Sequence, residues 1–263
     1  MKRIILLSLT TLMLVSCSQV VLTGRKQLLL VSDTEVLAMS ATAYKQFIDS
    51  VPASKNITQT ALVKNVGKNI AAAVEGYLKS KGLEADLATL KWEFHLVRDT
   101  SVNAFCMPGG KVVFYEGIIP VARNEAGLAV VMGHEIAHAV AKHSNERMSH
   151  QMLAQYGSGI AGLALSNKSA ALQQTIGTLY GLGANVGFVL PYSRKHEYEA
   201  DRLGLIFMAM AGYDPNEAVA FWERMSANKK GSVQEFMSTH PSDDNRIAQM
   251  KAVLPEAMSY YKK

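Results

Sequence analysis

The sequence predicts an α+β fold, mainly helical, with a small and mostly antiparallel sheet beside one buried helix. Three observations support this prediction. Apolar residues recur every three or four positions in several long stretches, which is typical of amphipathic helices. Only residues 91–115 combine the alternation and the turn residues of paired strands. Residues 128–132 are wholly apolar and lead into His-Glu-Ile-Ala-His at 134–138, so this polar motif is expected inside the core.

Length and composition fit a globular protein with one well-buried domain. The 263 residues are 49% hydrophobic and 19% charged, which argues against a disordered or fibrous chain. The formal net charge of +5 becomes +3 when Lys2 and Arg3, which lie in a segment expected to be removed, are subtracted. The sequence has no run of five basic residues, so nucleic acid is not expected as a partner.

The first 16 residues have the pattern of an export signal. A basic start, Lys2-Arg3, precedes an apolar run that ends in Leu-Val-Ser before Cys17, which resembles the bacterial lipoprotein box. In this interpretation residues 1–16 are a lipoprotein signal peptide, and acyl chains on Cys17 hold the protein on a membrane. An ordinary cleaved signal followed by a chance cysteine is the alternative. The lipoprotein interpretation predicts the cell envelope of a bacterium, at the periplasmic face of the outer membrane.

The rest of the chain divides into a tether, residues 17–34, and a domain, residues 35–263. Ser32-Asp33 can begin a first helix, and apolar residues four apart predict a second helix over 58–80. Three strands follow at residues 91–98, 103–107 and 111–115, with Pro108-Gly109-Gly110 as the turn between the last two. Cys106, the second of two cysteines, is predicted as a small buried hydrophobe.

The second half of the chain is predicted to be helical. Asn124-Glu125 can cap a helix from residue 126 to about His143. Residues 151–190 are rich in glycine and carry one charge, Lys168, which favours packed helices or a movable cover over a site. Three further helices are expected at residues 198–211, 215–225 and 243–253.

The motif at 134–138 predicts a metal site. Residues four apart share one helix face, so His134 and His138 present two imidazoles to one point, which suits zinc. Glu135 lies about 100° around the helix and is placed to act as a general base on a water molecule at the metal's open side.

A catalytic zinc ion needs a third protein ligand, which must come from elsewhere. Residues 196–201, His-Glu-Tyr-Glu-Ala-Asp, are the best candidate segment. Glu197 and Asp201 are four apart, so one could bind zinc while the other supports a zinc-binding histidine. Spacing alone does not choose among His196, Glu197 and Asp201. Glu199 lies on another face and is interpreted as solvent-exposed or structural.

The two motifs together resemble family forty-eight of the metallopeptidases, and specifically its periplasmic lipoproteins related to the outer-membrane-quality proteases. The resemblance covers roughly residues 35–253 and implies a zincin-like metallopeptidase domain with one zinc ion per chain. It also implies that Glu197 is the third ligand and that Asp201 supports a ligand histidine. Asn103-Ala104-Phe105 resembles the family's strand beside the cleft, to which an extended substrate could add; a plain hairpin is the alternative.

His240-Pro241 with Arg246 resembles a family element near the metal. His240 could be a fourth ligand that acts as a self-inhibiting switch, a donor to the transition state, or a structural residue. Arg246 could pair with an acidic site residue or polarise the oxyanion, and a packing ion pair is the alternative.

The predicted function is therefore zinc-dependent endopeptidase activity of a membrane-anchored lipoprotein. Its expected substrates are proteins or peptides, in particular unfolded or misassembled envelope proteins. A chaperone-like or adaptor lipoprotein with a latent zinc site is the first alternative. The second is a zinc hydrolase that acts on a bond other than a peptide bond.

Overall fold

A computed structural model describes residues 17–20, 22–156, 193–227, 232–240 and 244–261. The helices are α1 Asp33–Ser50, α2 Ile57–Ser80, α3 Glu84–Thr89, α4 Ile119–Ala122, α5 Glu125–Val140, α6 His143–Tyr156, α7 Arg194–Met210, α8 Asn216–Ala227, α9 Ser232–Thr239 and α10 Asp244–Met258. The strands are β1 Cys17–Gln19, β2 Lys26–Leu28, β3 Glu93–Val97, β4 Ala104–Met107 and β5 Lys111–Tyr115. The predicted signal peptide and most of the segment 151–190, including its proposed role as a cover, lie outside the described residues.

The α+β architecture is confirmed. Strand β5 is the centre of a three-stranded sheet of order β3-β5-β4, in which it pairs parallel with β3 and antiparallel with β4. Val112 of β5 lies between Phe94 of β3 and Cys106 of β4. Strands β1 and β2 form a second, antiparallel pair. In the three-stranded sheet one pair is antiparallel and the other is parallel, whereas a mostly antiparallel sheet was predicted. The parallel pair arises because β5 inserts between β3 and β4, which was not anticipated.

The sheet packs between helices, and α5 lies at the centre of the domain. Helix α2 packs on β3, where Gly67 leaves no room for a side chain against the ring of Phe94. Helix α5 packs on β4 and is continuously buried from Gly127 to His138. The largest fully buried apolar side chains include Phe114, Leu128, Met132, Phe207 and Trp222.

Two glycines set the distance between α5 and α7. A Cβ atom on Gly133 would lie 2.7 Å from the carbonyl oxygen of Gly204, and one on Gly204 would lie 2.8 Å from the amide nitrogen of His134. Both obstacles are backbone atoms, so the helices could accept a larger residue only by moving apart. This close crossing brings the residues around 134–138 face to face with those around 197–201.

Helix α5 ends at Val140, three residues before the predicted end. Lys142 adopts a left-handed conformation with a φ of 58°, which turns the chain sharply. Helix α6 then begins at His143 in a new direction. As a result His143 returns toward His138 instead of continuing along α5.

Strands β1 and β2 form an N-terminal hairpin, described at residues 17–20 and 22–28, that packs on the domain. Cys17 pairs with Leu28, and Gly24 supplies the positive φ, 71°, that the turn needs. Val20 is buried in the main hydrophobic core. The predicted tether therefore contains ordered structure in contact with the domain, whereas the division of the chain at residues 16 and 34 stays a prediction.

Within the described parts of the chain, no helix is both long enough and apolar enough to cross a lipid bilayer.

Candidate metal centre

The helix α5 presents two buried imidazoles to one point. His134 and His138 are 2% and 0% exposed, and their Nε2 atoms lie 3.0 Å apart. Each ring is therefore aimed at the same small volume, as the spacing of four residues predicts.

Helix α7 supplies a carboxylate to the same volume. Ser193 caps the helix by accepting from the amide of His196, which places Glu197 in the first turn. The Oε2 atom of Glu197 lies 3.4 Å from Nε2 of His134, and Oε1 lies 3.4 Å from Nε2 of His138. Of the three candidates for a third ligand, Glu197 is the one that faces both histidines.

His240 completes the group from the end of α9. Its Nδ1 atom lies 3.2 Å from Nε2 of His134 and 3.3 Å from Oε1 of Glu197. Its ring stacks on Phe236, with 4.7 Å between centroids. One donor atom each from His134, His138, Glu197 and His240 lies within 4.8 Å of the other three. We call these four residues the inner cluster.

The inner cluster fits a zinc ion. Two ligands at about 2.0–2.1 Å from a tetrahedral zinc ion lie about 3.3 Å apart, and the pairs above are separated by 3.0–3.4 Å. Neither oxygen of Glu197 has a hydrogen-bond partner of adequate geometry, although the residue is 0% exposed. Arg246 already forms an ion pair with Oε2, but Oε1 faces only histidine side chains. A buried carboxylate in that condition is costly unless a further cation binds it.

Glu135 lies beside the inner cluster without belonging to it. It is 2% exposed, and its Oε1 atom has no hydrogen-bond partner and lies 3.5 Å from Nε2 of His240. Burial raises the pKa of Glu135, against the opposing charges of His240 and His134. A carboxylate with a raised pKa accepts a proton more readily, as a general base requires.

Asp201 and Arg246 contact the inner cluster on the side of His134 Nδ1, the ring nitrogen that points away from the other members of the cluster. Oδ1 of Asp201 lies 2.9 Å from Nδ1 of His134, which can therefore donate to it. Arg246 is fully buried and binds Asp201 through Nε at 2.7 Å and Nη2 at 2.8 Å. Its guanidinium group also lies 3.7 Å from the ring centroid of Trp222.

Arg246 also reaches Glu197, with Nη1 at 2.8 Å from Oε2. Burial raises the pKa of Glu197, but the charge of Arg246 outweighs this and holds the pKa well below its usual range. Glu197 is therefore an anion that is ready to bind a cation. Of the interpretations weighed for Arg246, the structure supports pairing with acidic site residues.

The predicted substrate strand lies next to α5. Ala104 and Phe105 begin β4 and are buried, whereas Asn103 precedes the strand and its carbonyl accepts from the amide of Tyr115. Cys106 is buried as predicted, and burial, with Glu135 nearby, raises the pKa of its thiol. The role of residues 103–105 in substrate binding stays a prediction.

Five buried or nearly buried residues next to the metal centre were not predicted to act together. Nε2 of His143 lies 2.9 Å from Glu199, and Nε2 of His196 lies 3.0 Å from Glu146. Arg25 of the N-terminal hairpin binds both carboxylates. We call this set, Arg25, His143, Glu146, His196 and Glu199, the outer cluster.

The outer cluster revises two sequence-based interpretations. His196, weighed as a third ligand, faces Glu146 and not the metal centre. Glu199 was interpreted as solvent-exposed or structural; it is 7% exposed, so the solvent-exposed alternative is wrong and the structural one remains. Burial raises the pKa of Glu199 and Glu146, but hydrogen bonds from histidine and from Arg25 outweigh it and lower both to about 2. Two histidines and two glutamates within eight residues of His138 or Glu197 were the available signal.

Two histidines and a glutamate that fit zinc, with a second glutamate placed as a base, define the class of zinc metallopeptidases. The comparison with known families agrees. The sequence model described as Peptidase family M48 matches residues 65–254. The chain belongs to this family, and its cofactor is zinc.

Several characterised relatives are similar to this chain. The mitochondrial metalloendopeptidase OMA1 of Schizosaccharomyces pombe is 45% identical over 65% of this chain and 49% of its own length. Its namesake in Saccharomyces cerevisiae is 36% identical over 72% of this chain and 54% of its own length. The beta-barrel assembly-enhancing protease of Escherichia coli is 30% identical over 65% of this chain and 37% of its own length. The chain thus spans about half the length of these relatives or less.

The relatives contradict the predicted location. Those from Schizosaccharomyces pombe, Saccharomyces cerevisiae, Arabidopsis thaliana and Homo sapiens are named as mitochondrial proteins, so the assignment to a bacterial envelope is wrong. Its physical basis was narrow, because a basic start and a short apolar run report hydrophobicity and charge but not the compartment.

Proposed function

We propose that this protein is a zinc-dependent endopeptidase that hydrolyses unfolded or misassembled proteins. The observation that supports this most strongly is the inner cluster, whose donor atoms have the spacing of zinc ligands, with Glu135 beside it. In this proposal His134, His138 and Glu197 hold the metal, and Asp201 keeps His134 in place.

The mechanism follows from what each residue can do. When bound, zinc supplies a Lewis acid that lowers the pKa of water to about 7 and polarises the scissile carbonyl group. Glu135 takes the proton from the attacking water and then gives it to the leaving amine. Burial, which raises the pKa of this carboxylate, favours its protonated state between these two transfers.

Of the three interpretations of His240, the geometry supports that of a fourth ligand. Its Nδ1 atom lies as close to His134 and Glu197 as a ligand of the same ion would. A productive substrate needs that position, so His240 has to withdraw before hydrolysis begins. After His240 has withdrawn from the metal, its side chain can contact the oxyanion.

We propose that the substrate binds as an extended strand along β4. This strand is at the edge of the three-stranded sheet and packs on α5, so Asn103, Ala104 and Phe105 lie on the side of the metal centre. Addition of a strand at a sheet edge uses main-chain hydrogen bonds, which suits an enzyme that acts on unfolded chains of varied sequence.

A lipid on Cys17 is the proposed membrane anchor. The pattern of residues 1–17 supports it, and β1 places Cys17 at the start of the hairpin. Replacement Cys17→Ser should move the full chain from the membrane fraction to the soluble fraction. Retention of this variant in the membrane fraction would refute the anchor without affecting the proposed peptidase activity.

The test of the function is the pair Glu135→Gln and Glu125→Gln. Both residues are on α5, but Glu125 is exposed at the first turn. Glu135→Gln should keep its zinc and lower kcat on casein or another unfolded protein by about 10²–10⁴-fold, the usual contribution of a general base. Glu125→Gln should retain nearly full activity, and a chelator should abolish activity until zinc is restored.

Full activity of Glu135→Gln would overturn the mechanism. Full rescue of a deletion strain by an inactive Glu135→Gln protein would favour the adaptor function instead.

A further inference from the structure

The second nitrogen of the ligand His138 faces another histidine. Nδ1 of His138 lies 2.8 Å from Nδ1 of His143, and Nε2 of His143 lies 2.9 Å from Oε2 of Glu199. All three side chains are buried. The contacts form a continuous chain from the inner to the outer cluster.

The placement of protons along this chain follows from the metal site. Nε2 of His138 faces the metal and must be unprotonated to bind it, so Nδ1 of His138 carries the proton. That N–H donates to Nδ1 of His143. His143 therefore carries its own proton on Nε2, which donates to the Glu199 carboxylate. A ligand histidine held in this way has a fixed ring orientation and tautomer.

The carboxylates at the far end of the chain are held by the N-terminal hairpin. Arg25 donates to Glu199 through Nε at 2.5 Å, and to both oxygens of Glu146 through Nη1 at 2.8 Å and Nη2 at 2.6 Å. Thr23, from the same hairpin, also donates to Glu199. The Arg25 side chain is only 11% exposed, so water competes little for these bonds.

The ring of His143 is confined as well as hydrogen-bonded. It stacks on His196, with 4.5 Å between ring centroids and 20° between planes. His196 in turn contacts Glu146 at 3.0 Å. Both rings are thus held between the two carboxylates that Arg25 joins.

We propose that His143 is the positioning residue for the metal ligand His138, and that Arg25 of the N-terminal hairpin keeps this positioning assembly in place. The hairpin, which begins at the proposed anchor Cys17, is thereby coupled to zinc affinity. This inference rests on the proposed role of His138 as a ligand, but not on peptide hydrolysis, because its test measures metal binding.

The test compares the zinc dissociation constants of full-length variants by competition with a chromophoric chelator. His143→Leu removes both hydrogen bonds and should weaken zinc binding by about 10–100-fold, the usual effect of a residue that supports a metal ligand. His143→Gln keeps an acceptor and a donor and should recover most of the affinity. Arg25→Met should weaken binding by less than His143→Leu, and Arg25→Lys by less again.

The matched control is Arg202→Met. Arg202 lies on the same helix as Glu199 and also makes a two-bond ion pair, with Glu256. Arg202 and Glu256 both lie outside the outer cluster. The Arg202→Met substitution should leave the zinc affinity unchanged. The visible spectrum of the cobalt-substituted protein should shift in His143→Leu and not in Arg202→Met, because it reports ligand geometry.

Wild-type zinc affinity in a folded His143→Leu protein would overturn the proposal. If that variant does not fold, Arg25→Met decides, and equal affinities of Arg25→Met and Arg202→Met would refute the coupling to the hairpin.

Discussion

The inner and outer clusters are alike in composition but differ in how their carboxylates are satisfied. Both are buried, and both combine histidine with glutamate next to an arginine. In the inner cluster Glu197 forms an ion pair with Arg246, but neither of its oxygens has a hydrogen-bond partner of adequate geometry. In the outer cluster Glu199 and Glu146 accept bonds at all four oxygens. A group with missing partners indicates a ligand site, and a satisfied one indicates a scaffold.

The strongest test of this difference exchanges one carboxylate in each cluster. A residue that supports a metal ligand usually changes zinc affinity by about 10–100-fold. Glu197→Gln should weaken zinc affinity by more than this, because a neutral amide replaces an anionic ligand. Glu199→Gln removes a charge from the same helix and should retain more zinc. Metal content after dialysis against a weak chelator measures both. Equal zinc loss in the two variants would mean that the clusters do not divide into ligand site and scaffold.

The next largest effect concerns Arg246, the arginine that pairs with Glu197 of the inner cluster and with Asp201. Arg246→Met leaves Asp201 and Glu197 buried without their cation, which should lower the free energy of unfolding by about 3–5 kcal/mol. Arg202→Met breaks the partly exposed pair with Glu256 and should cost less than about 1 kcal/mol. Denaturant unfolding of the zinc-loaded proteins compares them. Similar losses would show that burial of the pair does not matter here.

A smaller effect is expected where the two motif helices cross. Gly204→Ala places a Cβ atom against the backbone of His134 and should cost about 1–3 kcal/mol while also weakening zinc binding, because α5 and α7 must separate. Gly76→Ala lies on an exposed face of α2 with nothing within 4 Å and should stabilise by about 0.5–1 kcal/mol. Thermal unfolding and zinc titration of both variants check this; unchanged zinc affinity in Gly204→Ala would argue against a role for the close crossing.

The smallest effect is a change in acid sensitivity of the outer cluster. The pKa of Glu146 is lowered from 4.5 to about 2, so its stabilising contribution is complete above pH 4.5 and is lost as the pH falls toward 2. The Glu146→Gln protein should be less stable than wild type at pH 5.5. The difference in the free energy of unfolding should shrink steadily as the pH falls from 4.5 toward 2. His143, with its pKa lowered to about 4 by burial, titrates in both proteins. A difference that does not depend on pH would contradict the ion pairing of Glu146.

The two helical motifs of the metal centre could be predicted because their information is local. The spacing of His134 and His138, and of Glu197 and Asp201, is fixed by the helical period, and each pair lies within five residues. The resemblance to a known family then joined the two pairs. The helices over residues 58–80 and 198–211 were predictable for the same reason, since one apolar stripe determines each of them.

The outer cluster could not be predicted because its contacts are distant and depend on exact geometry. Arg25 is 174 residues from Glu199 and 121 from Glu146. His143 meets His138 only because α5 ends early and Lys142 adopts a positive φ, although lysine gives no sequence signal for that conformation. A hydrophobic pattern locates a helix or strand, but it does not identify the side chains that its polar residues will contact.

The position of Arg25 matters for anyone who trims the protein. A fragment cut to the family match, residues 65–254, would lack the hairpin and with it the cation that joins Glu146 and Glu199. Glu199 and Glu146 would then keep His143 and His196 as partners but would lose the arginine that joins them. Such a fragment would contain every proposed ligand, and under the coupling proposed above it should bind zinc less tightly than the full chain. Recombinant forms and sequence alignments of this protein should therefore begin no later than residue 17.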